Sequence, residues 1–349
     1  MTPDKVLRIT YADICVCDTQ NLVKVKRVAD MTEAAIEASG LVKSYGALRV
    51  LDGIDVRVAR GSVFSLLGPN GAGKTTMVRI LATLTAPAAG RARVAGFDVV
   101  RERRQVRRRI SLTGQYAAVD ELQTGEENLA MVGRLAGLSA AAARGRANEL
   151  LAQFDLGDAG RRRVVNYSGG MRRRLDIAMS LLAQPSVIFL DEPTTGLDPR
   201  SRQAVWQAIA DLVAAGVTVF LTTQYLEEAD RVADDVAVID RGRMVASGTP
   251  AQLKRQVGDQ RLDLTLIDAD AYDAAARVLE GRVLEHAPEH RRLGVATDGS
   301  AGHVRALLDE IDPRRRTLER FALHTATLDD VFMALTGDAA PSRKETSDV

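Results

Sequence analysis

The sequence predicts an α/β domain, a parallel sheet interrupted by a helical insertion, followed by a small α+β domain. Three features carry that prediction. Near-continuous apolar runs at 62–67, 186–190, 217–222 and 235–240 alternate with helical segments, as strands buried on both faces do. A glycine-rich stretch joins the first of these runs to a helix. Beyond residue 258 the pattern changes to strand, helix, strand, strand, helix, strand, the order of a split βαβ (ferredoxin-like) unit.

Along the chain, residues 1–30 read poorly as the start of a domain, and organised patterning begins near Ile36. Residues 1–34 are therefore expected to be an N-terminal extension, with Met31 as an alternative start. A strand pair follows at 35–41 and 50–60 around the turn Ser44-Tyr45-Gly46. The strand at 62–67 feeds the glycine-rich stretch and a helix at 75–82. A turn at 87–90 precedes a short strand at 92–95. The arginine-dense run 101–109 reads as a solvated helix face. Helical sequence runs from 125 to 155 with a break near Gly137, inside an insertion placed at about 100–170. Helices at 172–183, 201–214 and 226–233 then alternate with the later strands. Thr249-Pro250 starts a short helix that Gly258 ends, closing the larger domain, 35–257. The small domain, 258–336, carries strands at 261–267, 282–285, 292–297 and 318–323, helices at 271–280 and 302–311, and a last helix at 328–335. A polar tail, 337–349, is expected to be disordered.

Composition narrows the classes. The chain has 349 residues, enough for two domains, with 46% hydrophobic residues and a formal charge of +1. That balance produces no global field favouring nucleic acid, so no nucleic-acid partner is expected. No apolar run approaches the ~18 residues of a membrane-spanning helix, and no charged-then-apolar leader opens the sequence. A membrane role is therefore expected to be peripheral. Cys15 and Cys17 stand too close to staple a fold and lack the further ligands of a zinc site, which fits a reducing, cytoplasmic setting.

The chemistry centres on Gly68-Pro-Asn-Gly-Ala-Gly-Lys-Thr75, after the strand Val63-Phe-Ser-Leu-Leu67. Strand, glycine-rich loop, helix, then Lys and Thr is the grammar of a phosphate-binding loop. Gly68, Gly71 and Gly73 allow the backbone N–H groups of the loop, which also contains Pro69, Asn70 and Ala72, to close around an anion. Lys74 places a compact charge on β- and γ-phosphates, and Thr75 offers a hydroxyl to Mg²⁺. Thr76 lies in the first helical turn, whose free N–H groups face the same anion.

Four further stretches belong with this loop. Asp191-Glu192 ends a buried strand, where ligand sites of open α/β sheets gather. Asp191 is placed to hold Mg²⁺, directly or through water, and Glu192 to polarise an attacking water. In Tyr167-Ser-Gly-Gly-Met171, Ser168 is an N-cap, and Gly169 and Gly170 leave N–H groups bare at a positive helix end. Alone that stretch also reads as a plain loop. As a second anion site it is explained by a homodimer in which it closes over phosphate held by the partner copy. Gln115 lies where the sheet hands over to the insertion and can reach the metal or the water. Tyr45 is suited to stack on an adenine, or is only a turn aromatic. Asp198 follows the paired carboxylates and can bridge to the second copy.

Taken together, GPNGAGKT, Gln115, YSGGM, FLDEPTTGLD and Thr223-Gln224 resemble the nucleotide-binding subunit of an ATP-binding-cassette (ABC) transporter, from about Ile36 to Pro250. The resemblance implies ATP as ligand with Mg²⁺, a head-to-tail dimer with two ATPs between the copies, and a separate membrane permease docking near Gln115 on the cytoplasmic side. YSGGMRRRLD, TTQYLEEAD and a tail ending in TLDDVF are similar to the daunorubicin/doxorubicin-resistance-type ATP-binding proteins, implying export of drugs, antibiotics or lipophilic metabolites. Two positions depart from the family pattern. Met171 stands where glutamine is commonest, and Gln224 stands where the family has a histidine that contacts the γ-phosphate. All four histidines, 286, 290, 303 and 324, lie in the small domain. Glutamine keeps a donor and loses the charge switching, so Glu192 is the expected base and Gln224 a sensing residue. The rival reading is a soluble ABC ATPase of translation or DNA repair. Those proteins carry paired cassettes or long coiled coils, absent here, and the arginine runs 101–109, 161–163 and 172–174 lack interleaved aromatics. These runs are expected to be solvated faces or permease contacts. A P-loop small-molecule kinase leaves YSGGM unexplained.

Overall fold

The computed structural model describes residues 34–115, 117–257, 260–324 and 327–336. The readings of residues 1–33, including Cys15, Cys17 and Met31, and of 337–349 lie outside the described residues. Strands β1 (Ala34–Tyr45) and β2 (Leu48–Ala59) form a hairpin, joined by β4 (Ala89–Val94) and β5 (Phe97–Asp98) in an antiparallel sheet of order β2-β1-β4-β5. The central sheet runs β10-β9-β3-β8-β7-β6, from β3 (Val63–Leu67), β6 (Ile110–Thr113), β7 (Val187–Asp191), β8 (Thr218–Thr223), β9 (Asp235–Asp240) and β10 (Arg243–Gly248). Its pairs are parallel except β9–β10.

Side chains alternate across this sheet, as period-2 geometry requires. Phe64, Phe189 and Phe220 face helix α1 (Lys74–Leu81) and the antiparallel sheet. The Phe64 and Phe220 rings stack with centroids 5.2 Å apart. Val63, Ile188, Leu190, Val219 and Leu221 face the other layer. That layer contains α3 (Gly125–Leu135), α4 (Ala140–Gln153), α5 (Gly169–Ser180) and α6 (Pro199–Ala214). The sheet is thus buried on both faces, which is why its strands are continuous apolar runs.

Several boundaries differ from the sequence reading. A helix, α2 (Arg103–Arg107), does occupy the arginine run, with Val106 buried. Strand β6 follows it as the edge of the central sheet, so the helical insertion starts beyond 113 rather than near 100. Four residues, Ile-Ser-Leu-Thr, behind a run of arginines are too few to show a period. The helix read at 172–183 begins at Gly169, because Ser168 supplies its cap. The hairpin strand β10 was not expected. Its signal is Arg241-Gly242, both at positive φ, the two-residue turn favoured between twisted antiparallel strands.

Helices α7 (Leu226–Val232) and α8 (Pro250–Val257) complete the larger unit. The third sheet has the order β12-β13-β11-β14, from β11 (Gln260–Leu266), β12 (Val283–Ala287), β13 (Arg292–Thr297) and β14 (Leu318–His324), all pairs antiparallel. Helices α9 (Ala269–Val278) and α10 (Ala301–Ile311) cover one face, around Leu262, Leu264, Tyr272, Leu293 and Leu307. The last helix, α11 (Leu328–Thr336), leaves that core. Leu328 and Val331 bury against Leu67, Ala229, Val236, Val238 and Leu253, so its packing belongs to the larger unit rather than to 258–336. Its apolar stripe needs a partner face, and α9 and α10 already fill the small sheet's. Among the described residues no helix is long and apolar enough to cross a membrane.

Candidate nucleotide site

The loop at 68–73 is fixed by close approach. A Cβ at Gly68 would lie 2.3 Å from the Ile239 carbonyl oxygen, and one at Gly73 2.7 Å from Leu51 and 2.8 Å from the Val50 carbonyl. Gly71 and Gly73 have φ of 82° and 111°, conformations that favour glycine. Helix α1 starts at Lys74 without a side-chain cap, and its first backbone bond is Met77 N–H to Gly73 O, 2.9 Å. The N–H groups of Lys74, Thr75 and Thr76 therefore lack intrahelical acceptors at the positive helix end. These features fit a bound polyphosphate.

Lys74, Glu192 and Gln115 converge. The buried Lys74 ammonium donates to the Gly68 carbonyl at 2.8 Å and the Pro69 carbonyl at 3.1 Å, and stands 3.3 Å from Glu192 Oε1. Gln115 Nε2 donates to Glu192 Oε2 at 3.4 Å, as does the Thr195 hydroxyl. Glu192 has φ of 50°, an uncommon conformation for a residue with a side chain, held by its N–H bonds to the Thr222 carbonyl and hydroxyl, each 3.1 Å. Such a conformation persists only where the surrounding structure over-determines it. Asp191, buried, accepts from the Thr222 hydroxyl at 2.5 Å and the Thr75 hydroxyl at 3.4 Å. Among the described residues no three His, Cys, Asp or Glu side chains cluster to hold a metal by themselves. One carboxylate beside one hydroxyl at a phosphate cradle is nonetheless the ligand set Mg²⁺ takes, with phosphate oxygens and water filling the rest.

Other expected site residues lie apart. Ser168 caps α5, accepting from Met171 N–H at 3.2 Å, and no hydrogen bond or ion pair among the described residues joins 168–170 to 68–76. A Cβ on Gly170 would lie 2.3 Å from Ser201 Oγ, so that glycine also serves the α5–α6 contact within one chain. Asp198 caps α6, bonded to Ser201 N–H at 2.9 Å and Ser201 Oγ at 2.6 Å. Those bonds hold its carboxyl below the usual range, the side-chain bond first. Tyr45 sits half exposed on the β1–β2 hairpin with Lys43 over its ring at 5.2 Å, and among the described residues no hydrogen bond ties it to the loop. Gln224 directly follows β8, whose Thr223 carbonyl accepts from Gly68 N–H at 3.2 Å; its side chain makes no hydrogen bond among the described residues.

Reading 172–174 as a solvated or permease-facing run fails at its centre. Arg173 is 5% exposed and donates to three main-chain carbonyls and to Asp176. Burial pushes the Arg173 pKa down and the Asp176 pKa up, with each partner opposing the shift. Arg173 shares a helix face with the buried Gly170, Asp176 and Ile177, three or four residues away, and that face is turned inward. Glu228 is also buried, accepting from Trp206 Nε1 at 3.2 Å, and burial raises its pKa. Thr222, to which the sequence reading gave no role, bonds to both Asp191 and the Glu192 N–H.

Comparison with known proteins decides the family. Residues 51–195 match the ABC transporter family. The chain is 50% identical over 308 residues to a daunorubicin resistance ATP-binding protein of Streptomyces coeruleorubidus, covering 88% of this chain and 98% of that protein. The chain belongs to the ABC transporter ATP-binding subunits. A doxorubicin resistance ATP-binding protein of Mycobacterium tuberculosis is 49% identical over 321 residues, covering 89% of this chain and 96% of that protein. A solved ATP-binding subunit of an ABC transporter is 30% identical, with a TM-score of 0.57 over 64% of this chain and 92% of that one. The cassette is thus an ATPase with a P-loop ABC-type nucleotide-binding domain, as its motifs implied. Translation or DNA repair is not favoured by these relatives.

Proposed function

We propose that this ABC ATPase works as a homodimer that powers export of drugs, antibiotics or lipophilic metabolites through a separate permease, docked on the cytoplasmic face of the membrane. The observation that carries the catalytic part is the convergence of Lys74 and Gln115 on Glu192, with Asp191 set beside Thr75. Thr75, Asp191 and Gln115 would hold Mg²⁺, which neutralises charge on the transferring phosphoryl group. Lys74 and the N–H groups of residues 70–76 bind and orient the phosphates. Glu192 accepts a proton from the attacking water as its oxygen bonds to the γ-phosphorus and the bond to ADP breaks. Ser168, Gly169 and Gly170 of the second copy complete each site, Asp198 lies at the same junction, and Tyr45 stacks on the base. Gln224, in place of a histidine, senses the γ-phosphate without becoming charged. We also read β11–β14 with α9 and α10 as a split βαβ accessory unit on the 35–257 cassette.

The names of the drug-resistance relatives support the cargo class, as does a Nod factor export ATP-binding protein of Paraburkholderia xenovorans, 38% identical over 319 residues. The test is reconstitution of the chain with its permease in inverted vesicles, using doxorubicin as the probe. ATP-dependent uptake that needs both proteins is expected. Turnover without uptake of any lipophilic probe, or ribosome association in place of permease association, would overturn the export assignment.

A further inference from the structure

We propose that Arg173 is a positioning residue that locks Gln115, Glu192 and the start of α5 into one unit, so that closure at Ser168–Gly170 is felt by the hydrolytic groups. Three of its four bonds reach carbonyls next to the two site residues in sequence. Arg173 Nε donates to the Pro193 carbonyl at 2.9 Å and Nη2 to the Asp191 carbonyl at 3.3 Å, on either side of Glu192. Nη1 donates to the Gly114 carbonyl at 2.7 Å and to Asp176 Oδ2 at 3.2 Å. Asp176 Oδ1 in turn accepts from Ala118 N–H at 3.1 Å. Gly114 directly precedes Gln115 and Ala118 lies three residues after it, while Asp191 and Pro193 directly flank Glu192.

The geometry explains why an ion pair sits where apolar side chains would pack as well. Desolvating a guanidinium and a carboxylate costs about as much as their attraction returns, so the pair is weak evidence for stability and points to specificity of arrangement. Only a planar, multi-donor fork reaches three carbonyls on two separate segments at once. Arg173 lies one helical turn from Gly169, and α5 is a single continuous helix between them. A shift of its N-terminus therefore pulls directly on both segments. None of the Arg173 bonds reaches residues 68–75, so binding and hydrolysis should separate on mutation.

The inference rests on the ATPase reading of Glu192 and Gln115, and its test keeps the two distinguishable. The full chain is prepared as wild type, Arg173→Lys, Asp176→Asn, Gln115→Ala and the Gln115→Ala/Arg173→Lys double variant. Arg173→Lys keeps the charge opposite Asp176 and loses the fork. It is expected to lower kcat by ~10-fold or more, with affinity for Mg²⁺-free ATP, which reads the 68–75 loop alone, within about twofold, since small misplacement of reacting groups costs rate before binding. Amide exchange should rise in 114–118 and 191–195 while 68–75 stays protected. In the Gln115→Ala background the same substitution should cost less, because residues that act as a unit are not additive. Unchanged exchange in both segments, or a loss of rate that multiplies fully in the double variant, overturns the inference. A fully active Glu192→Gln control would instead refute the catalytic reading, leaving the exchange result to judge Arg173 alone.

Discussion

Gly170→Ala separates what this glycine does within one chain from the role proposed for it across a dimer. The added Cβ would stand 2.3 Å from Ser201 Oγ, 2.5 Å from Ser201 Cβ and 3.3 Å from its Cα. Rotating Ser201 would move its hydroxyl, at the cost of its bond to Asp198, but not its Cβ or Cα, so a rotamer change cannot relieve the clash. Carbon atoms pack at about 3.5–4.0 Å, so α5 and α6 must separate by roughly 1 Å. Overpacking of that kind costs about 1–3 kcal/mol. Alanine returns up to about 1 kcal/mol through helix propensity, less in a first turn. The net loss, about 1–2 kcal/mol, corresponds to a fall of roughly 2–8 °C in the melting temperature of a unit this size. Thermal melting followed by circular dichroism, at concentrations where the chain is monomeric, measures it. Adding Ser201→Gly opens the space and should return part of the loss. An unchanged melting temperature in Gly170→Ala would refute the packing argument and leave the glycine a role only at a second copy.

Two further outcomes follow from the same geometry. Glu228 carries a pKa raised by burial from a reference of 4.5, so the folded chain holds its proton over a range where the unfolded chain has lost it. Stability from that proton is complete below about 4.5 and declines as pH rises toward the folded value. Glu228→Gln, compared with wild type by urea denaturation across that range, should gain relative stability with rising pH; a constant difference would show that Glu228 stays ionised when folded. Gln224→Ala should slow turnover by several-fold with MgATP affinity nearly unchanged, measured by steady-state kinetics and equilibrium binding. Identical kinetics would remove Gln224 from the site.

The phosphate loop was legible in the sequence because its determinants are local: a strand, glycines at fixed spacing, Lys74 and Thr75 lie within a dozen residues. Asp191 and Glu192 were legible for the same reason, at the end of a run that is apolar because both sheet faces are buried. Arg173 was not, since its partners come from 114, 176, 191 and 193 and only the fold assembles them. The role of Gly170 against Ser201 was hidden likewise: bare N–H groups are visible in Ser-Gly-Gly, but the approach of α6 is tertiary. The α11 helix was legible as a helix but its docking face was not, because local sequence does not say which surface a helix packs against.

The direct test of the site is Glu192→Gln, which keeps the side chain's shape beside Lys74 and Gln115 and removes its capacity to take a proton. Turnover should fall by about 10²–10⁴-fold, the typical worth of a positioned base. MgATP should remain bound, and light scattering should find a nucleotide-dependent dimer. A variant that stays monomeric with MgATP and turns over at the wild-type rate would contradict the account.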